Sequence, residues 1–370
     1  MQQLSTANVL ARMAPTERPC VHQALFETET LSHKELQERI TNLVAAGRDG
    51  YYEALTRTLG SHDTGRVLDG NDAPSLLASV EQYRSPNGLL FIAATDIGIN
   101  YSKLRNEDRV VLRPDCGFAA VVDGMGGQKD GDRFAHVLAH ELGKYPNDPN
   151  TAIANMRSLT SSMDSGASAC MGSVSVARNA DGYFLRNAYR VGDVRVAIIV
   201  PTDEGLYVRE TTDKTKANER VQAITNEIRL RALATTDDVA LEQLREEFIY
   251  QLTAAERERN VVTNALYGYA SPIDPIWENI PLPPGSFVLL LSDGITDNLD
   301  VLEILFLTPK PLTSQGLLET IQQYTTNRMT NFEQIREQSR NRKPSEKYSD
   351  GFLQNPKPDN RGLAIIEVPR

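Results

Sequence analysis

Four short stretches of this chain set an acidic residue at the edge of an apolar run. They are Asn106-Glu-Asp108, Val121-Val-Asp-Gly-Met-Gly-Gly127, Leu291-Ser-Asp-Gly-Ile-Thr-Asp297 and Lys357-Pro-Asp-Asn360. A carboxylate at a strand end is held rigidly, and a glycine after it lets the backbone turn sharply and expose its carbonyl. Hard divalent cations take such carboxylate and carbonyl oxygens. Several aspartates in one low-dielectric cleft repel each other strongly, and a cation between them removes that cost. A single Asp-Gly after an apolar run is ordinarily a turn. The segment from Asp123 to Gly127 carries more glycine than one turn requires.

Strands must position these carboxylates. Apolar, β-branched runs bounded by Gly, Pro, Asp or Asn predict strands at Leu89 to Ala94, Phe118 to Val122, Ser173 to Ala177 and Tyr183 to Val191. Four more follow at Val194 to Val200, Leu206 to Glu210, Phe287 to Leu291 and Leu363 to Val368. Several are apolar throughout, which suits strands covered on both faces. Helical periodicity appears at Arg133 to Leu142, at 151–163 and 316–338, and in a charged insert at 221–259. Strand groups mixed with helix groups, without strict βαβ alternation, predict an α+β layered fold.

Residues 1–85 read as a helical N-terminal extension ending in a linker, with capping-box spacing at Ser32 and Glu35 and a Gly, Asp and Ser-rich stretch from Gly60 to Ala73. Residues 86–370 read as the strand-rich domain that carries the acidic blocks. His136 and His140 lie four apart on a helix but opposite its Phe134–Leu138–Leu142 face, so they are read as solvent-exposed, with no third ligand nearby. Trp277 reads as packing at the entry to the strand at 287.

Composition narrows the function classes. The chain has 370 residues, 40% of them hydrophobic and 24% charged, with a net charge of -10. That balance disfavours nucleic acid as a partner, since phosphate contacts need clustered Lys and Arg. Three cysteines without a CxxC pair argue against a disulfide framework or a thiolate zinc site. No apolar stretch reaches membrane-spanning length, and no secretory signal is read at the N-terminus, so the expected location is cytoplasmic.

Taken in order, the acidic blocks resemble the metal-dependent protein phosphatases of the protein phosphatase 2C type, in particular their bacterial branch. Asn106-Glu-Asp108 resembles the family's early acidic block, and Asp123-Gly-Met-Gly-Gly127 with Gly131-Asp132 its central one. Gly166-Ala-Ser168 is a weaker likeness to a strand entry. Val191-Gly-Asp-Val-Arg195 resembles the block written Gly-Asp-Ser-Arg, and Ser292-Asp-Gly-Ile-Thr-Asp297 and Asp359-Asn360 resemble the last two. The likeness runs from about residue 89 to the end.

The resemblance implies a four-layer αββα fold, two antiparallel sheets flanked by helices, with a two-metal site at one end. It implies that Asp123 bridges two Mn²⁺ or Mg²⁺ ions and that the Gly124 carbonyl helps bind one. Asp293 and Asp359 would complete one shell, and Glu107 would approach the other with Asp108 in support. Asp193 would hold a weaker third ion. The implied reaction is hydrolysis of phosphoserine or phosphothreonine on proteins, by a hydroxide bridging the two ions. The implied partners are phosphoprotein substrates and a cognate Ser/Thr kinase pathway.

Two positions depart from the family pattern. Lys103 stands where an Arg usually holds the substrate phosphate, and Arg105, on the same face of a strand-like segment, is the alternative phosphate ligand. Met125 stands where some eukaryotic members have a His proton donor. A rival reading is a catalytically weak or inactive regulatory relative that binds phosphoproteins or partner proteins. Lys103 and the long insert motivate it.

Overall fold

The computed structural model describes residues 65–70, 75–98, 106–125, 130–160, 167–233, 239–240, 243–244, 247, 251, 261–267, 272–331 and 358–370. The helical patterns before residue 60, Lys103, Arg105, Gly126, Gly127 and part of the insert at 221–259 lie outside them.

Two antiparallel sheets form the body. In the first, strands run in the order β1 (Arg66–Leu68), β4 (Asp108–Arg113), β5 (Phe118–Gly124), β6 (Ser168–Asn179), β7 (Gly182–Val191) and β11 (Trp277–Leu282), with β10 (Leu266–Tyr267) also on β6. In the second the order is β2 (Glu81–Arg84), β3 (Leu90–Asp96), β13 (Arg361–Glu367), β12 (Phe287–Leu291), β8 (Arg195–Thr202) and β9 (Gly205–Glu210). The helices are α1 (Gly131–Lys144), α2 (Pro149–Leu159), α3 (Lys216–Leu233), α4 (Asp293–Thr296), α5 (Val301–Leu307) and α6 (Ser314–Thr330).

The unbroken apolar runs are explained by burial on both strand faces, with the side chains alternating between two cores. In β5, Ala119 and Val121 face the opposite sheet, while Phe118, Ala120 and Val122 face α1 and α2. In β13, Ala364 and Ile366 point inward, while Leu363 and Ile365 meet α5 and α6 on the outside. β12 alternates in the same way. Three apolar layers therefore lie between four structural layers: helices, sheet, sheet, helices.

Three expectations need correction. The boundary at residue 85 falls too late, because β1 pairs with β4 and β2 pairs with β3, so residues 66–84 belong to both sheets. The stretch read as linker contains β1. Trp277 opens β11 opposite Ala188 and packs against the core between the sheets, with the Arg209 guanidinium 4.8 Å over its ring.

The third correction concerns His136 and His140. They are buried, at 7% and 8% exposure, with ring centroids 4.5 Å apart. The amphipathic reading failed because α1 is covered nearly all round. In β4, Val110 and Leu112 point between the sheets, so the intervening parity sends Arg109 toward α1 and the histidines. Burial first, then the Arg109 and His140 charges, hold His136 well below the usual imidazole range. Burial, then the Lys144 and Arg109 charges, bring His140 down to about 4.

A polar lock closes the second sheet against α6. Arg361 donates Nε–H to Asp96 Oδ1 at 2.9 Å, and its Nη1 donates to Thr325 and Thr326 of α6 at 2.8 Å each. Both members of the ion pair are 2% exposed. Removing one partner of such a pair costs about 3–5 kcal/mol, because the other is left charged and buried.

The histidine pair gives the fold a defined acid sensitivity. Below the ordinary imidazole value the unfolded chain takes up protons that the folded chain refuses. Stability is therefore complete above about pH 6.5 and falls as the pH drops toward 4. Between about pH 7 and about pH 4.5, His140 should account for roughly 2 kcal/mol of lost stability. Urea unfolding of the native protein and His140→Gln at both pH values measures it. Identical losses in the two proteins would refute the assignment.

Candidate metal centre

The strand parity that builds the core also aims the carboxylates. Asp108 follows the inward positions Leu112 and Val110, and Asp123 follows Ala119 and Val121. The two are directly opposite in the β4–β5 register, and Cys170 is opposite Asp123 on β6. Next along this row, Cys170 shares a hydrogen bond with Asp193 in the turn after β7. Asp108 is 1% exposed, Asp123 9% and Asp193 8%. Four neighbouring chain segments thus bring polar groups to one end of an apolar sandwich.

The second sheet supplies the rest. Asp293 opens α4 directly after β12, and Asp359 stands two residues before β13. These segments are in close contact: a Cβ on Gly294 would lie 1.7 Å from the Asn360 carbonyl oxygen and 3.4 Å from Asp359 Cβ. No side chain fits at residue 294. Gly124 is equally constrained, since its Cβ would lie 2.6 Å from the Gly131 carbonyl oxygen where α1 begins. The glycines around Asp123 and Asp293 allow backbones to touch behind the carboxylates.

Asn360 ties the two sheets together. Its Oδ1 accepts the Glu107 amide at 3.0 Å, and its Nδ2 donates to the Ile97 carbonyl at 2.9 Å. Its own amide donates to Asp359 Oδ1 at 2.8 Å. The Gly124 amide in turn donates to the Glu107 carbonyl at 3.1 Å. Glu107, Gly124 and Asp359 are thereby linked through one chain of hydrogen bonds. Sequence reasoning matched Asp359-Asn360 to the family block but gave Asn360 no role, because a tie between distant segments leaves no local pattern.

A cavity of about 230 Å³ opens beside Asp193 and Asp293 and reaches Glu210, Asp213, Asp297 and Asp300. Burial first, then the Asp293 charge, push the Asp193 carboxyl up to about 7. Arg195 answers the far side of the cavity. It lies 2.5 Å from Asp213, 3.3 Å from Asp300 and 3.7 Å from Glu210, and these charges outweigh its burial and hold its guanidinium charged. Arg195 was read only as part of a motif; here it is the counter-ion of three carboxylates.

The donor chemistry suits a hard cation: carboxylates and a strand-end carbonyl, with no thiolate or imidazole among the residues named. The elevated Asp193 is the expected cost of crowding like charges where water is scarce. Among the described residues, however, no three His, Cys, Asp or Glu side chains stand close enough together to hold an ion. The structure gathers Glu107, Asp108, Asp123, Asp193, Asp293 and Asp359 toward one end of the sandwich. Lys103 and Arg105 lie outside the described residues.

No protein-family model matches the chain. No curated protein matches it either. Solved structures that it resembles include serine/threonine phosphatases. PstP/Ppp of Mycobacterium tuberculosis aligns over 76% of this chain and 99% of its own at 19% identity, with a TM-score of 0.47. The S. agalactiae serine/threonine phosphatase aligns over 76% and 99% at 20% identity, with a TM-score of 0.49. The catalytic domain of PstP, solved in complex with two manganese ions, aligns over 76% and 99% at 18% identity and 0.49. At these identities and scores the chemistry has to be argued from the residues of this chain.

Proposed function

We propose that this chain is a metal-dependent phosphatase of the protein phosphatase 2C type that hydrolyses phosphoserine and phosphothreonine on proteins. The observation that carries the reading is the linkage of Glu107, Gly124 and Asp359 through Asn360, with Asp293 brought to Asp359 by the contact at Gly294. Four segments far apart in sequence are locked together at the positions where the family resemblance places its metal ligands. A bound Mn²⁺ or Mg²⁺ pair would lower the pKa of a water and offset charge on the phosphoryl oxygens.

The chain's own residues would do the rest. Asp123 would hold both ions, the Gly124 carbonyl would help hold one of them, Asp293 and Asp359 would hold one, and Glu107 the other. Asp108, opposite Asp123, would orient it. Asp193 beside Asp293 is the candidate for a third ion. Lys103 or Arg105 would orient the phosphate, Lys as a point charge and Arg as a fork. Met125 has no proton to give, so the leaving oxygen would be protonated by water. Phosphoproteins made by a Ser/Thr kinase would be the substrates, in the cytoplasm. Among the described residues no helix is long and apolar enough to cross a membrane.

One observation favours the rival reading of a regulatory binder: among the described residues no three ligating side chains are already assembled. The two readings part on turnover. The phosphatase reading expects Mn²⁺-stimulated hydrolysis of p-nitrophenyl phosphate and of a phosphothreonine peptide, lost to background in Asp123→Ala and in Asp293→Ala. Phosphopeptide binding without turnover, across Mn²⁺ and Mg²⁺ titrations, would establish the regulatory reading instead.

The glycine contact gives a second test. Gly294→Ala forces apart the turn carrying Asp293 and the turn carrying Asp359. We expect the metal concentration for half-maximal activity to rise roughly 10–100-fold, the range seen when groups supporting a metal ligand are lost. Ser292→Ala removes the hydroxyl that accepts the Gly362 amide at 2.8 Å and serves as a neighbouring comparison. Metal activation that is the same in Gly294→Ala and the native protein would remove Gly294 from the argument.

A further inference from the structure

β9 is the outermost strand of its sheet, and among the described residues nothing pairs with its outer side. It is exposed along almost its whole length, with Leu206 at 41% and Tyr207 at 56%. The register shows which backbone groups face outward. Thr211 donates its amide to the Val196 carbonyl, and Ala197 is opposite Glu210. In an antiparallel ladder, bonded and non-bonded pairs alternate. The pairs Ile198–Arg209 and Val200–Tyr207 therefore bond to each other, and Leu206, Val208 and Glu210 turn their amides and carbonyls to the open edge.

An open edge of this kind is a template for another strand, and proteins normally blunt it. Here its C-terminal end runs into the cavity beside the candidate metal centre. Glu210 lies on β9 itself, and Asp213, Asp297 and Asp300 follow around the cavity toward Asp193 and Asp293. Among the described residues that line the cavity, only Arg195 offsets them. An extended segment added along β9 would thus be led by its backbone to the place where a phosphate would react, and its flanking side chains would meet a field of negative charge.

We propose that β9 is the substrate-docking strand of this protein. The occupant is an extended segment of a phosphoprotein, with Lys or Arg flanking the phosphorylated residue, that pairs with the outward groups of Leu206, Val208 and Glu210. This rests on the phosphatase reading above and adds the substrate class: basic, extended phosphopeptides. The ladder supplies affinity independent of sequence, and the acidic residues select the charge of the flanks. Pairing to a neutral or acidic segment would bring no such gain.

The test uses the full chain with Mn²⁺ and compares a phosphothreonine peptide flanked by arginines with p-nitrophenyl phosphate, which is too small to reach β9. Val208→Pro removes an outward amide while the bonds to β8 remain, since proline is tolerated on an edge strand where its N–H would face solvent. The ratio of kcat/KM for the peptide to that for p-nitrophenyl phosphate should fall roughly five- to tenfold, the value of one lost hydrogen bond. Should Val208→Pro not fold, Leu206→Pro and a peptide with alternate backbone amides methylated test the same ladder. The native protein should also prefer the arginine peptide over its glutamine counterpart, and the preference should shrink with added salt.

Equal ratios for native and variant proteins, or no preference for arginine, would overturn the proposal. So would a native dimer that Val208→Pro dissociates in sedimentation, because β9 would then pair with a second copy of this chain. If the native protein turns over neither substrate, the phosphatase reading fails separately. The same variants and peptides, read by fluorescence anisotropy, then decide the docking strand by affinity alone.

Discussion

The repulsion among carboxylates at one end of the sandwich is the constraint to which the rest of the structure answers. Two unit charges about 4 Å apart interact by roughly 4 kcal/mol at an effective dielectric constant near 20. Asp108 faces Asp123 across one ladder, and Asp193 is close enough to Asp293 for its carboxyl to be pushed up to about 7. Such an arrangement survives only if the backbone beneath it is fixed by something stronger. The apolar layer between the sheets does this, since each inward aspartate continues a row of buried Val, Leu or Ala on its strand.

That dependence explains what could be seen from the sequence. The strand carrying Asp123, the one that precedes Asp293 and the one that follows Asp359 are buried on both faces and therefore read as plain apolar runs. β4 did not, although it carries Asp108. It begins with Asp108 and Arg109, both buried, and ends with Arg113, so its composition resembles a surface turn. β1 was absorbed into the stretch read as linker and β2 into the rest of the N-terminal extension, because they are short and half exposed. Edge strands of this kind take their conformation from the neighbour they pair with, and the partner of β1 is distant in sequence, Arg66 facing Leu112, so it leaves no local periodicity. The buried histidines failed for the complementary reason. A helix enclosed on more than one side has no solvent face for the periodicity to report.

The site was legible as a set of residues but not as an assembly. Order and spacing matched Glu107, Asp123, Asp293 and Asp359 to a family pattern. The groups that bring them together are an asparagine side chain, two glycines and a row of register partners. Asn360 spans Ile97, Glu107 and its own neighbour Asp359, and only the folded chain makes those positions adjacent. Glycine at 294 looks like a turn residue in the sequence. In the structure it is the place where two acid-bearing turns meet backbone to backbone.

Arg195 sharpens the division of labour around the cavity. A guanidinium near a candidate phosphate site invites assignment as the phosphate ligand. Its donors are already committed, because the contact to Asp213 is short and Asp300 and Glu210 lie on the same group. Drawing Arg195 toward a phosphate would take the counter-ion from three carboxylates, among them Asp213, which is 14% exposed. Arg195 therefore stabilises one wall of the cavity, while Asp193 and Asp293 crowd together on the opposite wall. Negative potential is retained on the side nearest the candidate metal centre, where a cation or a basic side chain is the chemistry that relieves it. On the phosphatase reading proposed above, phosphate recognition would fall to a cation from elsewhere in the chain, and Lys103 and Arg105, next to the Asn106–Asp108 block, are the residues proposed to supply it.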